Sequence, residues 1–202
     1  MNKINHIEKQ TNNRFLNLYH MDVNTASGKR FDYYFASRND TENLKLHTRR
    51  LEAEGVAIYA VTKEVIPRLV LIREYRYPVD AIVYDLPAGL VDAGETPGQA
   101  AAREMREETG YTFTEYTGGD ACFRRPFLTG PGLTDEAGVV VFGYVDIEDC
   151  HADREESEDI EVILADKTAV RRILSEGMVS LRSAYLMMQF LQMEAEPFRF
   201  LE

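Results

Sequence analysis

Apolar positions along the chain follow two rhythms, and their succession predicts a mixed α/β protein. Residues 14–22 and 29–37 carry Phe, Leu, Tyr and Val on either side of Thr25-Ala26-Ser27-Gly28, the pattern of a β-hairpin. Residues 39–50 are polar and predict an irregular segment. Residues 56–62 and 68–75 are β-branched and apolar, with Pro67 just ahead of the second run, and suit two core strands. Residues 82–86 suit a third, ending at Pro87-Ala88-Gly89; 139–145 and the short run 161–164 add two more. The helical rhythm appears three times. Residues 97–109 are bounded by Thr96 as N-cap, Pro97 at the first position, Gln99 completing a capping box and Gly110 as the stop. Helices over 166–175 and 180–194 follow, the last with Leu181, Tyr185, Met188 and Leu191 on one apolar stripe. Strands outnumber helices and do not alternate with them regularly. A mixed sheet with helices on its faces therefore fits better than a doubly wound parallel sheet.

Composition narrows the partners. A chain of 202 residues is long enough to bury a sizeable core without disulfides. The formal net charge of -11 argues against nucleic acid or an anionic membrane, both of which need a concentrated basic surface. It also sets a problem for any anionic substrate, unless cations or a few arginines reverse the local field. Cys122 and Cys150 lack CxxC spacing and read as free thiols of a reducing compartment. Residues 1–13 lack the apolar core of a signal peptide, and no apolar run approaches the roughly 20 residues that span a bilayer. A cytoplasmic protein is expected.

The candidate chemistry lies in GLVDAGETPGQAAAREMREETGY, residues 89–111. On a helical wheel with Glu104 at zero, Glu108 falls at about 40° and Glu107 at about −60°, so three carboxylates share one sector. Ala101, Ala102, Met105 and Thr109 form the expected buried face, with Glu104 and Glu108 at its border. A solvated helix laced with i,i+4 pairs accommodates Arg103 and Glu107, but neither Glu104 nor Glu108 has a basic residue at i±4. A divalent cation would relieve that crowding, since carboxylates, waters and phosphates are the oxygen ligands Mg²⁺ prefers.

The full spacing resembles the Nudix box: a glycine, five residues, Glu, seven residues, then Arg-Glu-apolar-x-Glu-Glu-x-Gly-apolar. Gly89, Glu95, Arg103, Glu104, Met105, Glu107, Glu108, Gly110 and Tyr111 fill those positions without departure. The resemblance implies an α/β/α sandwich on a mixed sheet, carrying an N-terminal β-hairpin subdomain over residues 1–50 ahead of a catalytic domain over 51–202. It implies Mg²⁺, with Mn²⁺ as a substitute, held by Glu104, Glu108, Glu107 and the main-chain carbonyl of Ala88. Glu95 and Arg103 would pair to brace the loop against the helix, beside Gly89.

The flanks are similar to the ADP-ribose and nucleoside-diphosphate-sugar pyrophosphatases of that family. REYRYPVDAIVYDLPAG (residues 73–89) matches Arg76 to an arginine that reaches the substrate diphosphate, and Arg49 and Arg50 resemble basic residues beside the adenosine, Arg50 being the substrate-binding candidate. In FRRPFLTGPGLTDE (residues 123–136), Pro126 stands fifteen residues beyond Tyr111, as in that subgroup, and Gly130-Pro131-Gly132 shapes a loop. In the acidic run REESEDIEV (residues 154–162), Glu156 matches the general base and Glu158 a further metal ligand, with Glu155 and Asp159 close enough to exchange roles. The resemblance implies a homodimer built through the hairpin, where Tyr33, Tyr34 or Phe35 could stack on a base. The implied reaction is hydrolysis of ADP-ribose to AMP and ribose 5-phosphate. UDP-glucose, GDP-mannose or another sugar nucleotide is the alternative substrate, and a non-catalytic nucleotide-sensing module the alternative class.

Overall fold

A computed structural model describes residues 3–147, 160–194 and 196–202. In chain order the strands and helices are β1 (Ile4–Lys9), β2 (Asn17–Asn24), β3 (Arg30–Ser37), α1 (Lys45–Thr48), β4 (Gly55–Thr62), β5 (Leu69–Arg76), β6 (Ala81–Asp85), β7 (Ala88–Leu90), α2 (Pro97–Thr109), β8 (Thr112–Glu115), β9 (Phe127–Leu128), β10 (Ala137–Asp146), β11 (Ile160–Ala165), α3 (Lys167–Glu176) and α4 (Leu181–Gln192). The chain divides into two compact units, residues 1–54 with 126–138, and residues 55–125 with 139–202.

In the first unit the expected hairpin is present, with β2 and β3 paired antiparallel from Asn17–Ser37 to Asn24–Arg30. Its turn closes through Gly28, whose φ of 85° a side chain would strain. The polar start of the chain adds a third strand: β1 pairs with β2, and its alternation is weak because none of its side chains is fully buried. A small core of Tyr19, Phe35 and Leu44 holds the sheet, the two rings stacked at 5.3 Å. Leu44 lies in the segment expected to be irregular, which contains a 3₁₀ turn and the single turn α1. Glu54 ties that segment down, accepting from Asn39 Nδ2 (2.6 Å), Lys45 Nζ (2.7 Å) and the Ala137 amide (2.8 Å). Within residues 126–138, β9 pairs with the start of β10, and a turn at Gly130 is closed by the Leu133 and Thr134 amides.

In the second unit the strands run β11-β5-β4-β10-β8, with β6 on β5 and β7 on β4. Alternate residues of β4 face opposite ways: Tyr59 and Val61 join the core with Val170, Ile173, Met187 and Phe190 of α3 and α4. The opposite face belongs to α2, which packs on β4 and β7 and buries Ala100, Ala101 and Met105. Helices on both faces of one sheet give the expected sandwich. The C-terminal residues complete the core, with Phe198 stacked on Tyr116 at 4.5 Å and edge-on to Tyr59 and Tyr144.

The orientation of α4 differs from expectation. Leu181 is 75% exposed, and Tyr185 and Met188 also face outward. Ser183, Met187 and Phe190 are buried instead, a stripe about 200° round the helix. Both stripes are largely apolar, so periodicity favours neither strongly; Ser183 decides the matter by hydrogen-bonding to a buried carboxylate. Among the described residues no helix is long and apolar enough to cross a membrane.

Candidate active site

Helix α2 starts and stops where local chemistry requires. The Thr96 hydroxyl accepts from the Gln99 amide (3.3 Å), the Gln99 side chain accepts from the Thr96 amide (2.9 Å), and Gly110 ends the helix at φ 78°. The buried face is rotated from the expected one. Ala102 is exposed and Ala100 is buried, which carries Glu108 from the border to the middle of the face that packs on the sheet. Glu108 is only 5% exposed, and its Oε2 accepts from the Ala88 amide at 3.3 Å. The last turn of α2 and the first residue of β7 are thus brought together.

Glu104 is set by a steric cradle. A Cβ on Gly89 would stand 1.9 Å from the Glu104 carboxyl carbon and from one of its oxygens, so that carboxylate lies directly on the Gly89 Cα. Glu104 and Glu107 also share one guanidinium nitrogen: Arg103 Nη1 donates to Glu104 Oε1 (2.8 Å) and to Glu107 Oε2 (3.0 Å). The rest of the Arg103 fork goes to Glu95, through Nε (3.1 Å) and Nη2 (3.0 Å), and Nη2 also reaches the Leu90 carbonyl (2.9 Å). Arg103 therefore joins the loop, β7 and α2 through planar paired contacts that a lysine could not reproduce.

These contacts hold the Arg103 proton more firmly than usual, Glu95 contributing most, and hold the Glu95 carboxyl below its ordinary value through Arg103 and then the Asp92 amide. A depressed carboxylate pKa adds stability above the unfolded value, near 4.5, and loses it as pH falls through the lower folded value. The stability gap between the protein and Glu95→Gln should therefore be full at neutral pH and shrink only below about pH 4.5. Urea midpoints of both proteins across pH 3–7 check this; a gap constant over that range would contradict it.

The donor set suits a hard divalent ion. Two α2 carboxylates, Glu104 and Glu107, and Glu95 of the preceding loop face a single arginine, and the Gly89 cradle holds Glu104 where a side chain would exclude it. As the side chains stand, no three Asp, Glu, His or Cys residues among those described converge tightly enough to hold an ion, and Arg103 Nη1 bridges Glu104 and Glu107. The acidic run bearing Glu156 and Glu158, with Glu155 and Asp159, lies outside the described residues. So does Cys150, while Cys122 is a free, exposed thiol.

Arg76 ends β5, half-exposed, paired with Glu74 and 3.9 Å from Asp85 Oδ2. Arg50 lies in the first unit, highly exposed and 3.8 Å from Glu52. Phe35 is packed in that unit's core, whereas Tyr34 is exposed beside His20. Asp85 was not anticipated from sequence. Its carboxylate is 5% exposed and accepts from the hydroxyls of Ser180 (2.9 Å) and Ser183 and from the Leu86 amide (2.9 Å). An acidic residue near the end of an apolar strand, two positions before Pro87, was its signal in the sequence.

Residues 49–174, more than half of the chain, match the NUDIX domain family. The chain belongs to the Nudix family. A Caenorhabditis elegans relative of this Nudix protein is 36% identical over 139 residues, covering 64% of this chain and 60% of that one. The ADP-ribose pyrophosphatase of Bacillus subtilis (strain 168) is 33% identical over 177 residues, covering 83% of this chain and 88% of its own length. A crystal structure of ADP compounds hydrolase superposes with a TM-score of 0.67 over 94% of this chain and 93% of its own, at 20% identity, a likeness of fold. The box glutamates of this Nudix hydrolase thus stand on the family's scaffold, with Glu104 and Glu108 the least exposed of the three on α2.

Proposed function

We propose that the protein hydrolyses the pyrophosphate of ADP-ribose, yielding AMP and ribose 5-phosphate, with Mg²⁺ as its cofactor and Mn²⁺ as a substitute. The observation that carries this reading is the seating of Glu104 on Gly89 and of Glu108 on the Ala88 amide, which places two shielded carboxylates at one strand end. The similarity to the Bacillus subtilis ADP-ribose pyrophosphatase along most of both chains supports the choice of substrate.

In this reading Glu104, Glu108 and Glu107, with the Ala88 carbonyl and Glu158, hold the ion. Bound there, Mg²⁺ supplies charge neutralisation for the diphosphate and acidifies water. Glu156 takes the proton of the water that attacks phosphorus, the P–O bond of the bridge breaks, and its oxygen stays with the departing phosphate. Arg76 pairs with the diphosphate, Arg50 serves the adenosine, and Arg103 with Glu95 keeps loop and helix in register. The reading includes a cytoplasmic homodimer formed through the N-terminal hairpin.

The test is a panel of ADP-ribose, UDP-glucose and GDP-mannose with Mg²⁺, followed by product identification. ADP-ribose should give the highest kcat/KM, with AMP and ribose 5-phosphate in equal amounts, and EDTA should abolish turnover. A preference for another sugar nucleotide would replace the substrate; tight nucleotide binding without any product would make this a sensing module.

A further inference from the structure

Two arginines from different elements meet on one buried carboxylate. Cross-strand pairing of Ile72 with Asp85 puts Asp85 on the sheet face shared by Ile72, Glu74 and Arg76, opposite to Leu71 and Tyr84, which join the α3/α4 core. That is the face on which α2 packs. The chain entering α4 runs beside β6, where Val179 bridges to Tyr84, and this brings Ser180, Arg182 and Ser183 to the end of the strand. Asp85 Oδ1 then faces Arg182 Nη2 at 3.4 Å, while Oδ2 faces Arg76 Nη2 at 3.9 Å. Glu74 is the other acid on Arg76.

Both arginine side chains remain over 40% exposed, although the carboxylate between them is almost wholly buried. Asp85 and Ala88 are three chain steps apart, so their Cα atoms are no more than about 11 Å apart. Ala88 in turn touches Glu108. A buried anchor with two exposed cationic arms, one short chain step from the box carboxylates, is arranged to grip a linked pair of phosphates.

We propose that Arg182 is a substrate-binding residue acting beside Arg76 on the diphosphate, and that Asp85 is the positioning residue for both. This rests on the pyrophosphate-hydrolase reading above. Ser183 serves the same end: its hydroxyl takes the Oδ1 side of Asp85, leaving Oδ2 turned to Arg76. The arrangement also accounts for the burial of a serine on the inner stripe of α4, where an apolar residue would pack equally well.

The experiment is steady-state kinetics of the 202-residue chain with ADP-ribose and Mg²⁺. Arg182→Met keeps the aliphatic stem and should raise KM about tenfold while kcat changes by less than about threefold; Arg182→Lys should recover part of that loss. Asp85→Asn keeps an oxygen for the serine hydroxyls and removes the charge facing Arg76. It should raise KM similarly alone, yet add less than about twofold in an Arg76→Met/Arg182→Met background, because it acts through those side chains. An unchanged KM in Arg182→Met, or an Asp85→Asn effect undiminished in the double background, overturns the proposal. Should the wild-type protein turn over no ADP-ribose, the substrate reading fails on its own. The arginine pair is then judged by calorimetry of inorganic pyrophosphate in EDTA: about tenfold weaker binding in Arg182→Met supports it, and equal affinity overturns it.

Discussion

Glu104→Gln and Glu108→Gln should each lower kcat by about three orders of magnitude, equivalent to ~4 kcal/mol of lost transition-state stabilisation, without unfolding the protein. Glutamine matches glutamate in shape and still offers an oxygen, so the Ala88 amide keeps its acceptor on residue 108 and Arg103 keeps one on residue 104. What disappears is the negative charge. Two carboxylates on adjacent turns, one of them in the middle of a buried face, repel one another, so removing either charge should leave Tm unchanged or raise it slightly. Glu107 is 42% exposed and is fastened to Arg103, and Glu107→Gln should cost only about tenfold. Turnover of the purified variants, their melting curves, and calorimetric titration with Mg²⁺ make the check. Near-normal kcat in both principal variants would remove α2 from the chemistry altogether.

The parts of this structure that could be read from sequence are those whose causes are local. The bounds of α2 follow from Thr96, Pro97, Gln99 and Gly110, each acting on atoms within three or four residues, and the helix occupies the residues expected of it. The β4, β5 and hairpin strands follow from runs of apolar residues that need no distant partner to be recognised. Elements that depend on remote partners were less legible. β1 is polar on most of its length and becomes a strand because β2 is beside it. The roll of α4 is set by Ser183 reaching Asp85, 98 residues earlier in the chain. The wheel brought the three carboxylates of α2 to one sector. It misplaced the buried face because the exposure of Ala102 depends on where the sheet lies, and helical periodicity carries no record of that. Gly89 stands out in the sequence as the first position of the box, but the carboxylate lying against it is visible only in the fold.

Gly89→Ala should abolish most activity while barely altering stability, and Gly94→Ala should do the reverse. At Gly89 the new methyl would stand 1.9 Å from the Glu104 carboxyl carbon, far inside van der Waals contact. The obstructed group is the end of a flexible side chain, so the conflict is relieved by swinging the carboxylate away, at a cost in stability of less than about 1 kcal/mol. The displaced carboxylate then misses its place by more than about 1 Å, a shift that can lower turnover a hundredfold or more. Gly94 has nothing within 4 Å of the position a Cβ would take, but its φ is +84°. Alanine there meets no neighbour and strains only the backbone, which should cost about 1 kcal/mol and leave kcat within about twofold. Urea unfolding and initial rates on the two variants separate the effects. If Gly89→Ala retained kcat within about threefold of the parent, the position of the Glu104 carboxylate would be irrelevant to turnover, and the metal-holding role of that residue would fall with it.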